Sequence, residues 1–247
     1  MTSFPVFLYQ IRQSWFFILR SHMNKKTLST ELSYLLGIIF LALGTALETF
    51  ANFGMSTAVA PAYLIYLKVS QTLPWFTFGM AEYCTQLFLL VVMMLIVRRF
   101  KMSYLFSFIT AIIYGLFLDL FLKFTMTMPN ELTLRILAFA VGTICVTAGV
   151  SLIFHTYISP EVYELFVSEV SSYFGIKIHV FKTGYDIASC IAALIMSLLF
   201  FSHIEGIGIG TVISALINGT LIGWFTKLFE RRLNFSDKWK LRPYFEA

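Results

Sequence analysis

Charge is what this chain has least of. Only 13% of its residues are Asp, Glu, Lys or Arg, about half the share of an ordinary soluble domain. That scarcity argues against a solvated globular surface and against an acidic or disordered tail as the main feature. Cysteine is nearly absent as well. Cys84, Cys145 and Cys190 each lie inside an apolar run with no C-x-x-C spacing, so neither a disulfide framework nor a zinc site is supported, and the three read as small apolar fillers. The glycine-rich stretch "GIGIGT" at Gly206–Thr211 has Thr211 where a dinucleotide fingerprint needs its third glycine, and no G-K-[ST] ending follows. No cofactor is implied. Histidine and cysteine are never at ligand spacing, so no metal is implied. No Ser/His/Asp arrangement motivates hydrolysis, and the chain does not read as an enzyme.

Long apolar runs fill the remainder. Hydrophobic residues make up 58% of the sequence, and its mean hydropathy is +0.80. Six runs, at about 35–53, 79–97, 103–122, 136–154, 184–202 and 208–226, meet the roughly 17–25 apolar residues that a helical span requires. Runs of that length exclude barrel strands, and lipid accepts only helices or closed barrels. The expected fold class is therefore all-α, a polytopic membrane protein of six transmembrane helices. Residues 1–30 predict an amphipathic interfacial helix, with Phe7, Ile11, Trp15 and Ile18 at helical spacing and Arg12 and Arg20 among polar neighbours. No small-residue cleavage site follows it, which argues against a cleaved signal peptide.

Lys and Arg set the orientation. With the N-terminus inside, fifteen of the eighteen fall on the inner side, and only Lys68, Lys123 and Arg135 face out. The asymmetry places both termini in the cytoplasm and the protein in the cell (inner) membrane, with residues 231–247 as a basic tail. The net charge of +5 follows from this bias and does not imply nucleic acid.

The chain repeats itself. "AIIYGLFLDLFLKF" (Ala111–Phe124) aligns with "ALINGTLIGWFTKL" (Ala215–Leu228) at an offset of 104, so that Ala111, Gly115 and Lys123 match Ala215, Gly219 and Lys227. At the same offset Glu82 falls on Asp186, and "GIIFLALG" (Gly37–Gly44) matches "GTICVTAG" (Gly142–Gly149) at 105. Each half, 31–130 and 131–230, reads as span, serine-bearing break, short helix, span, span. Three spans per half is an odd number, so the second half is inserted upside down. This is a 3+3 inverted repeat, a recurrent plan among transporters. The short segments Ser56–Ser70 and Ser159–Phe174 are either interfacial amphipathic helices or re-entrant half-helices, the latter with amides at Ser159 able to face an anion.

Polar residues inside the runs supply the candidate site. Glu48, Glu82 and Asp119 fall in the outer part of three spans and suggest an acidic vestibule for a cation or proton. Asp119 has an alternative partner in Lys123, and Asp186 in Lys182, each four residues away. Glu82 has no basic residue within helical reach. Asn52, Ser56, Ser159, Glu161, Thr211 and Asn218 sit near the breaks or on packing faces, where each can bind solute or hydrogen-bond to a neighbouring helix. Small residues at Gly44, Ala111, Gly115, Gly149, Ala215, Gly219 and Gly223 predict close helix–helix contact.

Three stretches carry a resemblance: "ALGTALETFANFGMS" (Ala42–Ser56), "YISPEVYELF" (Tyr157–Phe166), and Lys182–Cys190 with Gly206–Ile222. Over residues 31–230 the chain resembles the YczE/YyaS/YitT group of bacterial integral membrane proteins. The resemblance implies a five- or six-span core and no settled activity. It singles out Gly44, Asn52, Gly54, Ser56, Gly115 and Asp119 in the first half, and Ser159, Pro160, Tyr185, Asp186, Gly210, Thr211 and Gly219 in the second. The first half departs from the pattern, with Ser56-Thr57-Ala58 where the group has Ser-Pro, an aromatic and an acid. The second half keeps Ser159-Pro160-Glu161. The expectation is a small-solute permease, with cation or proton coupling as an option. The alternatives are the substrate-binding subunit of an energy-coupled uptake system, which needs an ATPase partner, and a non-transporting membrane scaffold. The bilayer is the one partner the composition itself demands; self-association stays open.

Overall fold

The computed structural model describes residues 25–239 and 242; the expected amphipathic helix lies largely outside the described residues. Eight helices are present among them: α1 (Thr30–Ala51), α2 (Ala60–Val69), α3 (Phe78–Val97), α4 (Met102–Thr125), α5 (Leu132–Phe154), α6 (Val162–Phe174), α7 (Ile178–Phe201) and α8 (Ile209–Arg232). Six of them, all but α2 and α6, are long and apolar enough to cross a membrane. The all-α multi-pass reading is what the structure has. Two four-residue strands, β1 (Lys26–Ser29) and β2 (Leu233–Ser236), pair in parallel. They mark one end of the bundle, here called the strand end. Beside them the Glu31 carboxylate accepts from the amides of Lys238 and Trp239 and from the Tyr157 hydroxyl. The segment from 231 onward thus begins as the last turn of α8 and continues as a docked strand.

Helices α1 and α5 form the centre, each with 56% of its apolar window buried within the protein, while α7 and α8 are peripheral at 11% and 17%. Lipid offers no hydrophobic drive for one helix to join another, so close packing must do it. Small residues permit that approach. A methyl on Gly44 would stand 2.6 Å from the Gly142 carbonyl oxygen, and one on Gly142 2.9 Å from that of Gly44. Gly79 and Gly115 seat α3 on α4 in the same way, a Gly115 methyl falling 3.2 Å from the Gly79 Cα. Helices α7 and α8, although consecutive, scarcely touch.

Candidate functional site

Both short helices begin half-way through the bundle. Asn52 ends α1 in the left-handed conformation (φ 51°), its amide bonded to the Glu48 and Thr49 carbonyls at 3.2 Å. Arg135 then caps the helix end, donating Nε to Ala51 O at 2.8 Å and Nη2 to Asn52 O at 3.2 Å. This places a cation at the negative end of the α1 dipole. Gly54, at φ +107°, turns the chain back into the bundle. The glycine run before α8 receives it: Met55 N donates to Gly206 O at 3.0 Å, and Gly210 N donates to Phe53 O at 2.8 Å. A methyl on Gly210 would lie 2.8 Å from that same oxygen. The function of "GIGIG" is therefore to let one backbone seat on another.

The chain then dips until Thr57 Oγ1 reaches Asp186 of α7 at 3.3 Å. From there α2 climbs beside α7 until Lys68 Nζ donates to Phe200 O at 3.0 Å, near the end away from the strands. Ten residues of helix rise about 15 Å, half the hydrocarbon thickness. The second break mirrors this from the strand end. The hydroxyls of Ser107 and Thr110 on α4 donate to Pro160 O and Ser159 O. Gln86 Oε1 on α3 accepts from Val162 N at 3.1 Å, and Tyr163 OH donates to Glu82 Oε2 at 3.0 Å. Helix α6 returns to the strand end, where Glu169 meets Lys101 and Tyr104, both at 2.9 Å. Of the two readings left open for these segments, the re-entrant one matches the depth of both.

Between the two helix starts lies a cavity of about 300 Å³. Ser56, Thr57 and Val59 line it from the first break, and Pro160, Glu161 and Glu164 from the second; Lys182 and Asp186 come from α7, Ser214 and Asn218 from α8. Leu41, Val146, Val150 and Ile222 form an apolar wall. Lys182 pairs with Glu164 at 3.6 Å. Three of the lining residues carry a buried oxygen with no hydrogen-bond partner: Glu161 Oε1, Ser214 Oγ and Asn218 Oδ1. Glu161 is only 7% exposed and Ser214 only 1%. Buried polar atoms without partners are rare enough to need a reason.

The sequence-predicted residues divide accordingly. Ser56, Glu161, Asp186 and Asn218 line the cavity. Ser159 sits beside it, its carbonyl held by Thr110 at 3.0 Å. Asn52 and Thr211 are helix caps, Thr211 Oγ1 accepting from Gly208 N at 3.3 Å. The three acids of the expected vestibule have separate partners and none lines the cavity. Asp119 caps α3, accepting from Thr77 Oγ1 at 2.7 Å and Gly79 N at 2.8 Å. Glu48, buried between α1 and α5, accepts from Thr143 Oγ1 at 3.2 Å. Glu82 holds the start of α6 through Tyr163 and accepts from Gln86 at 3.3 Å. Asp186 takes Thr57 as partner, while Lys182 goes to Glu164.

Of the small residues, Gly44, Gly149 and Gly115 pack closely and Ala111 is fully buried. The α8 stripe is different. Ala215 and Gly219 line the cavity, and a methyl on Gly219 or Gly223 would meet nothing within 4 Å. Helix α8 packs on α5 instead, while α7 packs on the two short helices. Gln86, Glu164 and Ser214 were not among the candidate site residues read from the sequence, and Lys182 was read there only as an ion-pair partner for Asp186. Gln86 alone carried a signal, lying one helical turn after Glu82 in an otherwise apolar run.

A family model described as a family of unknown function, DUF6198, matches residues 28–227. No curated protein and no solved structure matches.

Proposed function

The chain belongs to the DUF6198 family, a family of unknown function, so we propose its activity from the site: it is a small-solute permease whose binding place is the cavity between the two half-helices. One observation carries this reading. Two interrupted segments enter the bundle from opposite ends and stop facing one cavity that holds unpartnered polar atoms. Irregular backbone at that depth is tolerated where it is buried in protein or lines a cavity, and helix starts at the midplane are how many transporters hold solute.

The inverted repeat supports the reading. Glu82 and Asp186 correspond at an offset of 104; Glu82 holds the start of α6, and Asp186 holds the start of the segment leading into α2. Each half thus steadies the half-helix of the other, as a two-fold axis in the membrane plane requires. The likeness to the YczE/YyaS/YitT group belongs with this proposal, because its stretches supply both breaks and the α7–α8 side of the cavity. So does placement in the inner membrane with both ends cytoplasmic.

The test is reconstitution. A solute that raises the melting temperature of the purified protein also crosses proteoliposomes that contain it, and Ala215→Phe, which fills the cavity, abolishes both effects. Flux undiminished in Ala215→Phe would overturn the cavity as the route. Strict dependence of flux on a co-purifying ATPase pair would move the protein to the energy-coupled uptake class.

A further inference from the structure

The charge balance of the cavity selects a ligand class; this rests on the permease reading for its location but not for its chemistry. The lining sets three carboxyl groups, Glu161, Glu164 and Asp186, against one ammonium, Lys182, which amounts to three negative charges and one positive when a bound cation holds all of them ionised. The starts of α2 and α6 add positive potential, about half a charge each. The start of α2 has no side-chain cap, and the start of α6 gives its first amide to the neutral Gln86 Oε1, so no charged side chain bonds either helix start. The sum is close to one uncompensated negative charge. Lys182 is already engaged by Glu164 at 3.6 Å and Asp186 by Thr57 at 3.3 Å. The unmet demand falls on Glu161, whose Oε1 has no partner. Across the cavity, Ser214 and Asn218 present oxygens that also lack one. A carboxyl oxygen, an amide oxygen and a hydroxyl, all without partners, point to a ligand that donates several hydrogen bonds. The wall of Leu41, Val146, Val150 and Ile222 calls for an apolar body, and about 300 Å³ is at the small end of organic-ligand sites.

We infer that the cavity binds a small organic monocation, with a primary ammonium among Glu161, Ser214 and Asn218 and an apolar body against α1, α5 and α8. An ammonium has three donors and no acceptor, which matches that set. An anion would meet three carboxylates, and a bare inorganic ion would leave the apolar wall without contact.

Benzylammonium is the probe, measured by calorimetry and thermal shift on the full chain in detergent, beside benzyl alcohol, benzoate and sodium chloride. The expected order is benzylammonium tightest, benzyl alcohol weaker by on the order of tenfold or more, and no response to benzoate or sodium. Glu161→Gln keeps the shape of the side chain and weakens benzylammonium by a similar factor, leaving benzyl alcohol unchanged. Equal binding of benzylammonium and its neutral isostere, preference for benzoate, or full benzylammonium affinity in Glu161→Gln overturns the assignment. If Glu161→Gln does not fold, Asp186→Asn takes its place with the same expected loss, and unchanged affinity there overturns the assignment too. Benzylammonium binding without flux leaves this site standing and removes the permease reading. Flux of neutral or anionic solutes through a protein that ignores benzylammonium does the opposite.

Discussion

Gly37 of α1 lies directly against Gly149 of α5: a methyl on Gly37 would sit 2.9 Å from the Gly149 carbonyl oxygen, and one on Gly149 would sit 2.7 Å from the oxygen of Gly37. Gly44 and Gly142 repeat the relationship at 2.6 and 2.9 Å. In the aligned sequence Gly37 corresponds to Gly142, and Gly44 to Gly149. In space the pairing is crossed, as it must be when two like helices run antiparallel about a common axis. The backbone oxygens cannot retreat without breaking helical hydrogen bonds, so the central seam tolerates no side chain there.

Glycines therefore differ sharply in their sensitivity to substitution. Gly44→Val costs about 1–3 kcal/mol by forcing the seam apart. Gly219→Ala and Gly223→Ala, with nothing within 4 Å, are neutral or stabilising by up to about 1 kcal/mol. Reversible unfolding of the three variants in mixed micelles checks the contrast. A large loss at Gly223 would mean that α8 packs there in the membrane.

Asp119 behaves as a helix cap. Removing its carboxylate in Asp119→Ala strips the start of α3 of two acceptor contacts and costs about 1–2 kcal/mol, with solute binding intact. Binding lost from an Asp119→Asn variant of normal stability would instead restore the acid to a functional role.

Gln86 controls the position of α6. Gln86→Leu leaves the buried amide of Val162 without its acceptor, a loss of about 1–3 kcal/mol. The expected signature is local, with faster amide exchange at 161–166 while α1 and α5 stay protected. Uniform exchange across all helices would show that the residue supports the whole fold.

Cysteines placed at 70, 128 and 205, after Cys84, Cys145 and Cys190 have been replaced, report the orientation. An impermeant maleimide added outside intact cells labels all three if the strand end is cytoplasmic, and does not label a cysteine at 101 or 177. The reverse pattern would invert the protein and place its excess of Lys and Arg outside, against the usual bias.

How much of this was legible beforehand follows from which forces are local. Six spans could be read because a helix of some 20 apolar residues is dictated by the bilayer alone. The breaks at Asn52–Ser56 and His155–Ser159 also showed, since they interrupt those runs. The partners of Asp119, Thr77 and Gly79, lie some forty positions away and left no local pattern, whereas the nearby Lys123 was visible. Ser214 gave no signal at all, because an isolated serine in a span is ordinary until its neighbours prove to be acceptors as well.

What the sequence alone determined is the number of long apolar helices and the small residues, Gly44 and Gly149 among them, at which two of those helices meet, because hydropathy and side-chain size act within one helix. Only the tertiary structure decided that the two short helices turn inward, that they pack on α7 while α8 packs on α5, and that Glu161, Ser214 and Asn218 line a common cavity. Those facts depend on contacts between residues far apart in the chain, and no local pattern encodes where two distant backbones will meet.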